Sequence, residues 1–266
     1  MVVHEWGDPQ NENVIICAHG LSRNGRDFDV IAESLSATHR VLCPDVPGRG
    51  LSEWLPSATH YVIPTYVEAM RQMFTQLRLK RYDWIGTSMG GLIGMVIAAT
   101  PGNHMKRYVC NDVGPEIERA ALERIGAYMG MRPPAFESYE QLYRASLLAI
   151  SSFGPLTDEQ KHHIVRTSCA CGEDGKWRYT SDPKIGEAFV IALAQPSVDL
   201  WPLWRSIKHP TLVLRGEHSD LLSSATLAKM AAGRAHVHAH VVADTGHAPM
   251  LLDAGTNAIV KQFIGL

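Results

Sequence analysis

Three residue types, far apart along the chain, could together attack a carbonyl group. The serine is Ser88, set in Gly86-Thr87-Ser88-Met89-Gly90. A serine hydroxyl is a poor nucleophile at its own pKa and needs a general base within hydrogen-bond reach. Histidine suits the task because it titrates near neutral pH. A carboxylate must in turn hold the imidazole in the right tautomer and stabilise its cation. His247 sits in a Gly246-His247 turn, and Asp220 closes Gly216-Glu217-His218-Ser219-Asp220. Both follow later strands in the order serine, acid, base that such triads use in strand–helix folds. Asp220 is therefore the first candidate for the acid. Asp112, in Asn111-Asp112-Val113-Gly114-Pro115, also stands at a strand end and is its rival; Glu217 comes third. His218 shares a loop with the acid, while His236, His238 and His240 alternate along a strand and read as a half-exposed surface.

Attack leaves negative charge on the carbonyl oxygen, which two preorganised N–H groups must receive. Met89 N–H opens the helix after Ser88, where the helix dipole adds to it. The second donor is expected from the loop His19-Gly20-Leu21, with Leu21 N–H the choice. Gly20 lets that backbone approach a substrate closely, and His19 is expected to order the loop rather than to transfer protons. Arg23 or Arg26 could hold a substrate carboxylate, although loop arginines more often make local ion pairs.

These side chains need a frame. Val14 to Ala18 is a continuous apolar run, as in a strand covered on both faces. Arg40 to Cys43, Tyr82 to Ile85, Arg107 to Cys110, Thr211 to Leu214 and His236 to Val242 read as further strands, with Val2 to Trp6 as an edge strand. Between them, helices are expected over Phe28 to Leu35 with Asp27 as cap, Thr65 to Leu77 with a Thr65/Glu68 capping box, Gly91 to Ala99, Ala225 to Ala232 and Thr256 to Ile264. Alternation of this kind indicates a mostly parallel, doubly wound sheet with helices on both faces. Functional loops then lie at the carboxyl ends of the strands. His19-Gly20, Asp45, Ser88 and Asp112 all fall at such ends.

From Glu116 to about Trp204 the alternation stops and the pattern is helical, with capping boxes at Ser138/Gln141 and Thr157/Gln160 and a last helix from Pro183 to Ala194. The chain thus divides into a core of residues 1–115 and 205–266 and a helical insertion of residues 116–204. The insertion carries Tyr128, Met129, Met131, Phe136, Tyr139, Tyr143 and Phe153. Most are ordinary core; Tyr128 and Tyr143 are candidates to line a pocket.

Composition narrows the remaining classes. With 25 basic and 27 acidic residues the net charge is −2, which argues against a nucleic-acid partner. No run of eighteen apolar residues suggests a membrane span, and the N-terminus lacks a basic and apolar leader pattern. A soluble, cytoplasmic protein is expected, as monomer or homodimer. The five cysteines, odd in number and mostly in apolar strands, read as reduced thiols. Cys169-Ala170-Cys171 with His162 and His163 matches no common zinc spacing. Neither metal nor cofactor is expected.

Taken together, His19-Gly20, Asp45-x-x-Gly48-x-Gly50-x-Ser52, Gly86-Thr-Ser-Met-Gly-Gly91, Gly216-Glu-His-Ser-Asp220 and Gly246-His247 resemble the α/β-hydrolase superfamily over nearly the whole chain. The resemblance implies Ser88 as nucleophile, Asp220 as acid, His247 as base, Leu21 and Met89 as oxyanion donors, and an inserted helical cap. A serine at position 88 argues against the haloalkane dehalogenase and epoxide hydrolase branches, which carry aspartate there. Met89 occurs in many esterases, enol-lactonases and carbon–carbon bond hydrolases. Two departures stand out: the superfamily's leading strand is largely absent, and Leu21-Ser-Arg-Asn-Gly-Arg26 replaces the Gly/Ser-rich loop of carbon–carbon hydrolases. The implied activity is hydrolysis of small to medium, largely apolar carboxylic esters through an acyl-enzyme. A lactonase or carbon–carbon hydrolase with the same triad is the alternative, and a ligand receptor of the same fold is a more distant one.

Overall fold

The computed structural model describes residues 1–130 and 135–266; Met131 lies outside them. Alternating strands and helices build the first part of the chain: β1 (Val3–Trp6), β2 (Val14–Ala18), α1 (Asp29–Leu35), β3 (Arg40–Pro44), α2 (Ile63–Gln76), β4 (Tyr82–Thr87), α3 (Met89–Ala99) and β5 (Met105–Asn111). An insertion follows, with α4 (Arg119–Gly130), α5 (Tyr139–Ile150), α6 (Asp158–Arg166), β6 (Cys169–Cys171), β7 (Trp177–Tyr179), α7 (Lys184–Leu193) and α8 (Trp201–Ser206). The alternation then resumes with β8 (Thr211–Gly216), α9 (Ser224–Ala231), β9 (Val237–Val242) and α10 (Ala254–Ile264).

Seven strands form one sheet in the order β1-β3-β2-β4-β5-β8-β9. Only β1 runs antiparallel, on the edge beside β3; the other neighbours are parallel. Side chains alternate across the pleat, so each strand feeds two cores. Ile16, Trp84 and Tyr108 enter one, against α2, α3 and α8, and Ile15, Ile85 and Val109 enter the other, against α1 and α10. Helix α3 is apolar on every side and lies close on the sheet. Its Gly94 faces the rings of Trp84 and Tyr108, with no space for a larger side chain.

Several local expectations are corrected. Helix α2 starts at Ile63, with Pro64 in its first turn and no side-chain cap, so Thr65 and Glu68 form no capping box. Proline prefers that position because its missing N–H is no loss there. Asn24 caps a short 3-10 turn, Gly25–Phe28, ahead of α1, and Asp27 pairs with Arg23 instead of capping. Thr157 and Gln160 do form a full capping box on α6. Ser138 caps α5, but the Gln141 side chain accepts from Glu137 N–H instead. The insertion is also not wholly helical, because β6 and β7 pair as an antiparallel hairpin.

The insertion is tied to the core by backbone-directed bonds. Arg23 Nη2 donates to Ile164 O at 3.1 Å, Asn24 Nδ2 to Thr167 O at 2.8 Å and Asp182 N–H to Gly48 O at 2.8 Å. A third core under it joins Leu142, Ile164 and Val165 to Met250 and Leu252 of the loop after β9. Among the described residues no helix is long and apolar enough to cross a membrane.

Candidate active site

Ser88 joins β4 to α3 with φ 53° and ψ −113°, a conformation costly for a residue with a side chain. Packing imposes it. Trp84 Nε1–H donates to Gly90 O at 3.1 Å, and Ser88 N–H donates to Asn111 O of β5 at 2.8 Å. A Cβ at Gly86 would strike the Gly90 carbonyl, and one at Gly90 would strike the Ala18 carbonyl of β2. Only glycines permit this tight reversal, and the reversal lifts the Ser88 hydroxyl to the carboxyl edge of the sheet.

His247 Nε2 lies 2.9 Å from Ser88 Oγ, and its Nδ1 lies 2.7 Å from Asp112 Oδ2. The carboxylate beside the imidazole is thus that of Asp112, which corrects the expectation of Asp220. Asp112 is wholly buried at the end of β5, with φ 55°. Its Oδ1 accepts from Gly216 N–H at 3.0 Å and its Oδ2 from Ser219 Oγ at 2.7 Å. The loop after β8 therefore supplies two donors to the Asp112 carboxylate, and its own carboxylate turns outward. Asp220 is 47% exposed and takes a bidentate fork from Arg124 of α4 at 2.7 and 2.8 Å. Burial pushes its carboxyl upward, but Arg124 outweighs that and the pKa is lowered.

Further bonds seat the histidine loop. Ser152 Oγ donates to His247 O at 2.8 Å, and Gly246 N–H donates to Ser152 O at 2.7 Å. Asn111 Nδ2 reaches Thr87 Oγ1 at 2.9 Å and Pro249 O at 2.7 Å, bracing β4 against that loop. Asn111, Ser152 and Ser219 carried no sequence signal beyond being polar residues near strand or helix ends.

The loop after β2 passes beside the serine. A Cβ built on Gly20 would lie 3.8 Å from Ser88 Cβ, an ordinary contact, so the Gly20 backbone is close to the hydroxyl. His19 is buried and bridges two loops. Val46 N–H donates to its Nε2 at 2.9 Å, so the ring proton is on Nδ1 and goes to Gly20 O at 2.8 Å. Burial lowers its pKa from 6.5 to about 4, which keeps it neutral. Because a trans peptide points its N–H opposite its carbonyl, tying Gly20 O to His19 turns Leu21 N–H the other way. Met89 supplies the first N–H of α3.

Arg23 does not present a free guanidinium. Its Nε donates to Asp27 at 2.9 Å and its Nη2 to the insertion. Burial opposes its charge, yet Asp27 prevails and raises the pKa; Tyr128 and Tyr179 act in the same direction. Arg26 pairs with Asp29. Tyr128 is half-buried on α4 against the larger core. Tyr143 stacks on His162 at 4.0 Å, in an aromatic group with Tyr139. His163 Nε2–H donates to Arg26 O at 3.1 Å and Cys171 is exposed, so this stretch gathers no ligand set. Among the described residues, Glu217, His218 and Asp244 come within ligand distance of one another, all exposed, with Glu217 accepting from Asp244 N–H.

A family model described as the alpha/beta hydrolase fold matches residues 13–254. A 3-hydroxybutyrate-oligomer hydrolase of Cupriavidus necator is 43% identical over 270 residues, covering 99% of this chain and 92% of that one. A 2-(acetamidomethylene)succinate hydrolase of Mesorhizobium japonicum is 27% identical, over 86% of this chain and 79% of its own. The crystal structure of an alpha/beta hydrolase from Novosphingobium aromaticivorans superimposes with a TM-score of 0.88 at 34% identity, covering 98% and 92% of the two chains. A strained serine between strand and helix, on a seven-stranded sheet that such relatives share nearly end to end, makes the chain a member of the alpha/beta hydrolase family.

Proposed function

We propose that the protein hydrolyses carboxylic esters through an acyl-enzyme, with Ser88 as nucleophile, His247 as general base and Asp112 as the acid. The observation that carries this reading is the unbroken hydrogen-bond line from Ser88 Oγ through His247 to Asp112, at 2.9 and 2.7 Å. Ser88 Oγ attacks the ester carbonyl carbon as its proton passes to His247 Nε2. Asp112 stays ionised and stabilises the imidazolium through Nδ1–H. The N–H groups of Leu21 and Met89 receive the oxyanion. Each such donor contributes roughly 10²–10³-fold to the rate in comparable sites. Collapse breaks the bond to the leaving oxygen, which takes the proton from His247. Water then attacks the acyl-serine by the same route in reverse and releases the acid.

Residues 116–204 act as a cap over the carboxyl edge of the sheet, and the substrate enters between cap and core. The Cupriavidus necator relative is named for 3-hydroxybutyrate oligomers. Short aliphatic oligoesters fit the earlier expectation of small to medium, largely apolar esters, and are the proposed substrates. A fluorophosphonate should label Ser88, and Ser88→Ala should lower kcat on 3-hydroxybutyrate dimers and p-nitrophenyl butyrate by at least about 10⁴-fold. Undiminished turnover in that variant would sink the proposal. Faster turnover of lactones or vinylogous diketones than of any ester would move it to a lactonase or carbon–carbon hydrolase.

A further inference from the structure

Arg49 is the largest charged side chain in the core, completely buried in the loop after β3. Among the described residues no carboxylate bonds it directly. Its Nε donates to Leu21 O at 2.8 Å, its Nη1 to Pro47 O at 2.7 Å, and its Nη2 contacts Met89 Sδ at 3.4 Å. The guanidinium also faces the rings of Tyr66 and Tyr61, at 4.7 and 5.5 Å from their centroids. Tyr61 OH donates to Asp182 of the insertion, whose carboxylate partly offsets the charge. Burial disfavours that charge and lowers the Arg49 pKa. A buried cation without a bonded counter-ion is expensive, and a methionine or leucine would fill such a place more cheaply.

The loop is built to aim it. Asp45 accepts Gly25 N–H and Leu51 N–H, both at 2.8 Å, and its own carbonyl accepts Ser52 Oγ at 2.6 Å. Gly50, at φ 56°, lies so close on the Asp45 carboxylate that any side chain there would collide with it. The turn between them therefore points residue 49 inward rather than to solvent.

We propose that Arg49 is a positioning residue for the oxyanion hole, clamping the backbone of Leu21 and the side chain of Met89 in one planar fork. The inference rests on the esterase reading above. Leu21 Cα joins two peptide planes, and the first of them carries its N–H. The plane before it is held through Gly20 O by His19, and the plane after it through Leu21 O by Arg49. With both planes tied, the N–H keeps its direction as charge develops, which is what preorganisation requires. Lysine cannot replace the fork, because an ammonium on a flexible stem does not span a carbonyl, a second carbonyl and a sulfur in one plane.

Purified Arg49→Met and Arg49→Lys variants test this with p-nitrophenyl butyrate and phenylboronic acid, which adds to the serine as a tetrahedral anion. The expected result is a fall in kcat of about 10–100-fold with KM within about threefold, and a matching loss of boronate affinity. If Arg49→Met does not fold, Arg49→Lys decides by the same split. Unchanged kcat in a folded variant, a loss confined to KM, or a boronate affinity that does not follow kcat overturns the clamp. Activity surviving in Ser88→Ala would instead overturn the esterase reading itself, so the two failures are distinguishable.

Discussion

Two neighbouring strands of one sheet are each followed by an aspartate, Asp112 one residue beyond β5 and Asp220 four beyond β8, and the two carboxylates have opposite fates. Asp112 is wholly buried, holds φ 55° and collects bonds from Gly216, Ser219 and His247. Asp220 lies half in water and grips Arg124. Their distance from the serine along the sheet separates them. β5 is paired directly with β4, which carries Ser88, whereas β8 is one strand further out. Residue type and a place in the loop after a strand are alike in both; register and burial differ. The β8 loop holds Asp112 by donating to it, through a backbone N–H and a serine hydroxyl.

The sharpest way to break that comparison is to neutralise each carboxylate in turn. Asp112→Asn is expected to lower kcat by about 10³–10⁴-fold through loss of the imidazole's tautomer control, while Asp220→Asn stays within about threefold. Equal losses in the two variants would return Asp220 to the catalytic group. Gly90→Ala tests whether the elbow beside Asp112 is as rigid as packing implies. It drives a Cβ into the Ala18 carbonyl and should cost at least about 3 kcal/mol in a urea titration. Gly102→Ala, with φ 72° but nothing within 4 Å, should cost about 1 kcal/mol; similar losses would refute the packing account.

A pH series gives a comparable effect from the other side of the site. Burial holds His19 at a pKa of about 4 against 6.5 when unfolded. The unfolded chain then takes up a proton below about pH 6.5 that the folded one refuses until about pH 4. The stability contributed by neutral His19 is fully present above that window and falls through it, by up to about 3 kcal/mol. His19→Gln should flatten that slope in urea midpoints measured at about pH 7.5 and about pH 4.5, and an unaltered slope would exclude His19 as its source. The smallest effect is expected at Arg124→Gln, below about 1 kcal/mol, because its partner Asp220 is exposed. A larger loss would mean that this pair holds the insertion down.

What could be read from the sequence follows from how local each constraint is. Gly86, Gly90 and the apolar α3 describe a strand–turn–helix within eighteen residues, Tyr82 to Ala99, so the elbow was legible without a fold. The strands and their mostly parallel, doubly wound class were legible for the same reason, since each strand announces itself. The choice between Asp112 and Asp220 was not, because it depends on which strand neighbours β4 and which way a loop turns. Arg49 sat in a quoted motif as an unmarked position; nothing local distinguishes an inward arginine from a surface one. The β6–β7 hairpin was hidden by strands of three residues, too short for periodicity to register. Tyr143 looked like a pocket residue by composition alone, and its stack with His162 draws on residues nineteen positions apart.

The insertion leaves the core within a few residues of Asp112 and rejoins it after α8, where Trp204 Nε1–H bonds Met230 O and Arg234 holds Ile207 O. The two junctions are unequal. The returning one is seated against α9 through Trp204 and Met230, while the departing one begins beside Asp112. Anyone exchanging this segment for that of a relative would find the second seam forgiving. The first would have to keep Val113, Gly114 and Pro115 intact, since an error there is transmitted to the acid itself.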